Sequence, residues 1–184
     1  MNSNRKAQVR KLIGAVLVGG VIPTASFAAV DAFLKMDGID GEASTKDHKG
    51  EIAVYAWAWG MDRPSTTTGM GSMLAARPCV TELNLTKLLD KASPKLMGAV
   101  IGGTPIGKAR LTLTRLIGET PRDFYIIDMT GVQVSSVQES GSSDVPVESV
   151  ALRFQSVNVS YKPYDPETGG LGTAVPVAIR AGTC

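Results

Sequence analysis

The chain has 184 residues, of which 43% are hydrophobic and 20% charged, with 20 Gly, 10 Pro, a formal net charge of +2 and a single His. Such a chain is the size and composition of one globular domain, without the Gly-X-Y period of collagen or the charge excess of a disordered tail. One imidazole excludes zinc sites built on two or three and leaves any Ser-His or Cys-His nucleophile only His48 as its base.

The charge is unevenly placed. Arg5, Lys6, Arg10 and Lys11 stand among the first 28 residues without one acid, leaving 15 basic against 17 acidic residues in the remainder. The body of the protein therefore lacks the cationic footprint of a nucleic-acid binder. The basic stretch is followed by an apolar run, Leu12 to Ile22, and by Pro23-Thr24-Ala25-Ser26-Phe27-Ala28 with small residues at 26 and 28. This pattern predicts a secretory signal over 1–28, cut between Ala28 and Ala29. The run falls short of the ~20 apolar residues that a membrane span needs, so contact with a membrane is expected only through the signal before cleavage. The domain would then be 29–184, in an oxidising compartment where Cys79 and Cys184, the two cysteines, can pair within a chain or between chains. A cysteine as the final residue, after Ala181-Gly182-Thr183, has the reach for a bridge between chains.

Asp37 to Glu42 gathers three acids and two glycines. The spacing does not fit a calcium loop and predicts a polar turn between the first two strands. His48 follows Asp47, but no nucleophile elbow accompanies it, so a structural or interface role is expected. From Glu51 to Trp59 the residues Ile52, Val54, Ala56 and Ala58 fall on one strand face and Ala53, Tyr55, Trp57 and Trp59 on the other. Neither face is polar, so the strand is covered on both sides within the domain or has its aromatic face covered by another subunit. Gly60 to Arg77, rich in Gly, Ser and Thr with no apolar period, predicts a long loop.

Thr81 to Leu89 alternates as a strand. A short helix follows, with Ser93 as N-cap, Pro94 at its first position, Leu96, Met97, Val100 and Ile101 on one face, and Gly102-Gly103 as its stop. The next strand runs through Leu111 to Arg115, and a longer one from Arg122 to Val137 with a turn or bulge at Thr130-Gly131. In Val147 to Tyr161 the apolar residues are even-numbered (Val150, Leu152, Phe154) and then odd-numbered (Val157, Val159, Tyr161). A side-chain period of two does not allow that slip on one core face, so a bend is expected near Gln155-Ser156, where the strand leaves one sheet for another. The fold expected is mainly β, a compact β-barrel or two-sheet sandwich of about six to eight strands with one short α-helix. Gly102 to Lys108 ends in Gly-Lys but follows a helix instead of opening one, with Ala109 in place of Ser/Thr, so it is no phosphate loop. No catalytic, metal or cofactor site is indicated.

Several motifs in order resemble one family. Val30 to Glu42, His48, Ile52 to Gly60, Lys91-Ala92-Ser93-Pro94-Lys95-Leu96, Phe124-Tyr125 to Ser136, and Pro146 to Tyr161 are similar to the haemolysin-coregulated protein (Hcp) family, the inner-tube subunits of type VI secretion systems. The resemblance covers about Val30 to Gly172. It implies a tight barrel with an accompanying helix, no catalysis, self-assembly into hexameric rings stacked as a hollow tube, and cargo proteins in the lumen as further partners. It also implies that the loop after Gly60 projects and contacts neighbouring copies. Trp57, Trp59, Met61, Met70 and Met73 are thus the candidate interface residues. The departure from the family is the leader, which points to an exported, periplasmic or extracellular ring or tube protein. Classical tube service from the cytoplasm, and a surface- or sugar-binding barrel, remain as alternatives.

Overall fold

The computed structural model describes residues 29–63, 65–67, 73–75, 79–141 and 144–180; residues 1–28, Met70 and Cys184 lie outside them. In chain order the strands are β1 (Val30–Met36), β2 (Ile52–Val54), β3 (Ala56–Ala58), β4 (Met61–Asp62), β5 (Ser65–Thr67), β6 (Met73–Ala75), β7 (Cys79–Val80) and β8 (Leu83–Leu88). After the helix α1 (Ser93–Gly102) come β9 (Ile106–Ile117), β10 (Thr120–Ser140), β11 (Val147–Arg153), β12 (Ser156–Tyr161), β13 (Tyr164–Asp165), β14 (Gly170–Leu171) and β15 (Val175–Arg180).

The main sheet runs β2-β1-β9-β10-β11-β8-β3, every neighbour antiparallel. Its first and last strands are two halves of one chain segment, so the sheet closes on itself as a barrel. The segment expected as one strand from Glu51 to Trp59 is therefore broken at Tyr55. Before the break Ile52 and Val54 are buried and pair with β1; after it Ala56 is exposed, Trp57 is half-buried and the pairing is with β8. The Tyr55 N–H still donates to the Thr86 carbonyl at 2.8 Å, which holds the corner closed. Closure removes the open edges that make isolated sheets aggregate.

A second corner lies opposite. β10 pairs with β12 over Tyr125–Thr130 and with β11 over Gln133–Ser140, while β11 and β12 are halves of the other long run, interrupted after Arg153. The slip expected near Gln155-Ser156 is present: Val150 and Leu152 are buried before it, Val157 and Val159 after it. Between the two partners of β10 stands Gly131, with φ of +60°, facing the Gln155 side chain. The expected turn or bulge at Thr130-Gly131 is a left-handed corner residue inside one continuous strand. β12 carries β15 on its far side, outside the closed barrel.

Helix α1 packs on the barrel through Ala92, Leu96 and Ala99 and stops at Gly103, which is left-handed. Two expectations for it are corrected. Ser93 is the first helical residue, not a cap, because its hydroxyl is engaged elsewhere. Ile101 is 88% exposed, so the packed face is the one spaced 92, 96, 99. The Gly60–Arg77 loop is corrected as well. It is a hairpin arm whose base pairs β4 with β7 and whose outer part pairs β5 with β6.

A further close approach fixes the connection from β1 to β2. A Cβ on Gly41 would stand 2.4 Å from both the Glu51 carbonyl oxygen and Ile52 Cα, backbone atoms that cannot swing away. At Gly131 the obstacle is the flexible Gln155 side chain, 2.6 Å from a built Cβ. Gly131→Ala is therefore expected to cost about 1–2 kcal/mol, mostly from the left-handed backbone, and Gly41→Ala more than that. Urea midpoints of the two variants check the order; equal midpoints, or a Gly41→Ala variant as stable as the parent, would contradict it.

Candidate functional site

The barrel wall is sealed at the Tyr55 corner by aromatic rings. Trp57 stacks on Tyr125 with centroids 6.0 Å apart, and Trp59 meets Phe154 edge-on at 6.4 Å. Both indoles are half-buried against the core, so the chain's own residues cover much of the aromatic face. Burial pushes the Tyr125 phenol above its ordinary pKa, partly offset by a hydrogen bond with Trp59.

The arm leaves the barrel immediately after this cluster. Gly60 and Thr81 clamp its base: the Gly60 N–H donates to Thr81 Oγ1 at 2.7 Å, and the Thr81 N–H donates to the Gly60 carbonyl at 2.9 Å. Met61 is exposed on β4, and Cys79 is half-buried directly opposite Asp62 on β7. Met73 belongs to β6, whereas Met70 falls outside the described residues. The fold thus brings Met61, Met73 and Cys79 onto one hairpin rooted beside Trp57 and Trp59. Ala29 is exposed at the start of the described chain, and Ala28 and Cys184 lie outside it.

Sequence reasoning missed the most deeply buried polar cluster among the described residues. Lys87 on β8 and Glu148 on β11 are almost completely shielded, and their register places them directly opposite each other. Lys87 Nζ donates to Glu148 Oε2, to Ser93 Oγ at 2.9 Å and to Asp90 Oδ1 at 2.8 Å. Ser93 Oγ in turn donates to Glu148 Oε2 at 2.6 Å and accepts the Asp90 N–H at 3.1 Å. The hydroxyl that looked like a helix cap is spent tying the helix start to two barrel strands. Asp90 Oδ1 also accepts the Ala92 N–H at 2.9 Å, so the aspartate shapes the turn into α1. Alternation in β8 and β11 places Lys87 and Glu148 on the core phase with Leu83, Leu85, Val150 and Leu152; a cation and an anion at matching inward positions was the available signal.

His48 is a further buried polar side chain, with partners on both ring nitrogens. Its ring stacks on Phe33 at 4.4 Å and 8°. Nδ1 lies 2.9 Å from Glu51 Oε2, and Nε2 lies 3.1 Å from Asp123 Oδ1 and 3.2 Å from Thr114 Oγ1. The imidazole thereby pins the β1–β2 connection to the outer side of β9 and β10. The geometry of these clusters is that of fasteners, and the exposed features are an arm and apolar side chains suited to contact other surfaces.

Comparisons with known proteins agree with that description. A profile of the family described as "Type VI secretion system effector, Hcp" matches residues 33–161. The curated "Protein hcp1" of Pseudomonas aeruginosa is 39% identical over 137 residues, which are 73% of this chain and 85% of that protein. A solved "Structure of a type six secretion system protein" is 30% identical, covers 83% of this chain and 96% of its own, and superposes with a TM-score of 0.75. Hcp1 from Salmonella typhimurium is 29% identical, with 84% and 95% covered and a TM-score of 0.66.

The buried cluster yields a stability prediction. Lys87→Met leaves the Glu148 carboxylate shielded without its cation and is expected to cost about 3–5 kcal/mol. Lys87→Met combined with Glu148→Met removes both charges and is expected to lose less than the single change. Thermal or urea unfolding of the parent, the single and the double variant checks this; a double variant that loses as much as Lys87→Met or more would contradict the charge-pair account.

Proposed function

The chain belongs to the Hcp family of type VI secretion proteins, and on that footing we propose that it is an exported ring and tube subunit, built from copies of itself and without catalysis. The observation that carries this is the match of the family profile across the barrel together with an arm that extends from it. A structural protein of this kind needs a rigid wall and presented surfaces, and the fastened barrel and the arm from Met61 to Val80 supply both. Trp57 and Trp59 stiffen the root of the arm, while Met61, Met70 and Met73 are its contacts with neighbouring copies. Proteins in the tube lumen are the further partners. No metal or cofactor enters this function.

Export is supported by the leader: basic residues, an apolar run and a small-residue end. Mature protein begins at Ala29 and works in the periplasm or outside the cell. The second reading, service inside a type VI machine from the cytoplasm, is favoured by family membership alone. An exported location also supports oxidised cysteines. Cys79 and Cys184 are the two cysteines in the sequence, and a bridge within the chain is the form we favour.

Electron microscopy of the purified protein is expected to show closed rings, some stacked; a field of isolated monomers at micromolar concentration would remove the assembly claim. N-terminal sequencing of protein recovered from expressing cells should begin at Ala29, whereas intact Met1 in the soluble cytoplasm would favour the second reading. Non-reducing electrophoresis should give a monomer band that slows on reduction, and a ladder collapsing with reductant would assign the bridge between chains.

A further inference from the structure

The outward face of the sheet carries a trough of about 730 Å³ that crosses β1, β9, β10, β12 and β15. Strand register builds its floor. Lys35 stands opposite Arg110, Arg110 opposite Asp128, and Asp128 opposite Asn158. In the neighbouring row Lys108 stands opposite Thr130, Thr130 opposite Ser156, and Ser156 opposite Arg180. Residues directly opposed in antiparallel strands share a face. Both rows alternate along their strands with buried Ala109, Met129 and Val157, so both point away from the core.

Free charge stands at the two ends of this trough. Arg110 is held within the protein by Asp128, its Nε–H donating to Oδ1 at 2.5 Å and its Nη2–H to Oδ2 at 3.1 Å. Lys35, Lys108 and Arg180 make no ion pair among the described residues. At the β1–β9 end three cations therefore face Asp37 and Asp128, and at the β15 end Arg180 stands alone, which leaves one positive charge in excess at each end. The middle offers hydrogen bonds instead. It holds the Thr130 and Ser156 hydroxyls, 2.5 Å from each other, and the Asn158 amide. Beyond residue 28 the chain has more acids than bases, so this excess is local to the trough.

Spacing decides what fits. Lys108 and Arg180 are separated by three strand spacings, about 14 Å. An extended peptide advances ~3.4 Å per residue and repeats its face every second residue, so acidic side chains at i and i+4 lie about 14 Å apart on one side. On a helix the same two acids would be only about 6 Å apart. A phosphodiester chain carries a charge on every unit and would set some of them over the middle, where no free cation answers. We propose that the trough binds an extended acidic segment of a partner protein, one carboxylate held by Lys35 and Lys108 and a second, four residues further on, held by Arg180. Thr130, Ser156 and Asn158 hydrogen-bond the peptide groups between. Complementary charge of this kind forms quickly and is weakened by salt. Every residue named belongs to one copy, so the site does not depend on self-assembly.

The test uses protein as purified from expressing cells and a labelled, end-capped peptide of five residues, glutamate first and last with neutral polar residues between. Fluorescence anisotropy at low salt should show saturable binding that weakens as salt is raised. Arg180→Glu and Lys108→Glu, both at exposed positions, should each weaken it about tenfold or more, with the circular dichroism of the parent. Lys49→Glu makes the same change of charge at an exposed position outside the trough and should bind as the parent does. If charge reversal impairs folding, Arg180→Gln and Lys108→Gln replace it and should weaken binding about threefold. A parent that binds no peptide overturns the proposal. So does a peptide with glutamine at both ends that binds equally well, or a Lys49→Glu variant that loses as much as the trough variants. A single-stranded oligonucleotide of five units that binds more tightly than the peptide would assign the trough to a phosphate chain and overturn it as well.

Discussion

Two runs of chain, Ile52–Ala58 and Val147–Tyr161, must each serve two neighbours, and the barrel exists only because both bend where they change partner. A strand shows a given face every second residue, so a straight run cannot keep its apolar side inward while leaving one neighbour for another. The first run solves this at Tyr55, where burial passes from Ile52 and Val54 to Trp57 and Trp59. The second solves it between Arg153 and Ser156, where Gly131 of β10 takes a left-handed conformation against Gln155. With both corners made, every strand of the seven-strand path β2-β1-β9-β10-β11-β8-β3 has its partners, and the aliphatic core from Leu34 to Val159 closes around one centre.

A wall made this way still needs its attachments held. Helix α1 would be marginal alone at ten residues. It is secured by Leu96 in the core and by Ser93, which shares Glu148 with Lys87. The ion pair carries a desolvation penalty, so its value lies more in position than in net stability: only one placement of the helix start lets Lys87 reach Asp90, Ser93 and Glu148 together. His48 does the same on the outer side, where Phe33, Glu51, Thr114 and Asp123 meet around one ring.

How much of this was legible depended on contrast between the two phases of each strand. The slip at Gln155 could be read because Asn158 and Ser160 alternate with Val157 and Val159. The slip at Tyr55 could not, because alanines, tryptophans and valines make both phases apolar. The helix was visible from Pro94 and Gly103, but its face was misjudged: Ile101 looks like a core residue and only the barrel decides that Ala99 is the one packed. The arm was hidden for the opposite reason, since Gly, Ser and Thr carry no period and its pairing is backbone to backbone. Lys87 and Glu148 were passed over because each is unremarkable in its own strand, and their meaning comes from a register that joins residues 61 positions apart. Family resemblance supplied what local pattern could not, the assembly of copies.

The central claim is that this barrel is complete in itself and that copies of it assemble through the arm. Residue-resolved hydrogen exchange over a range of protein concentrations tests both halves at once. Amides of β1, β9, β10 and β8 should exchange at rates independent of concentration, while those of β4 and β7 should slow as concentration rises and assembly fills. Amides in β4 and β7 that exchange at one rate at every concentration, in a protein whose mass shows that it has assembled, would contradict the account.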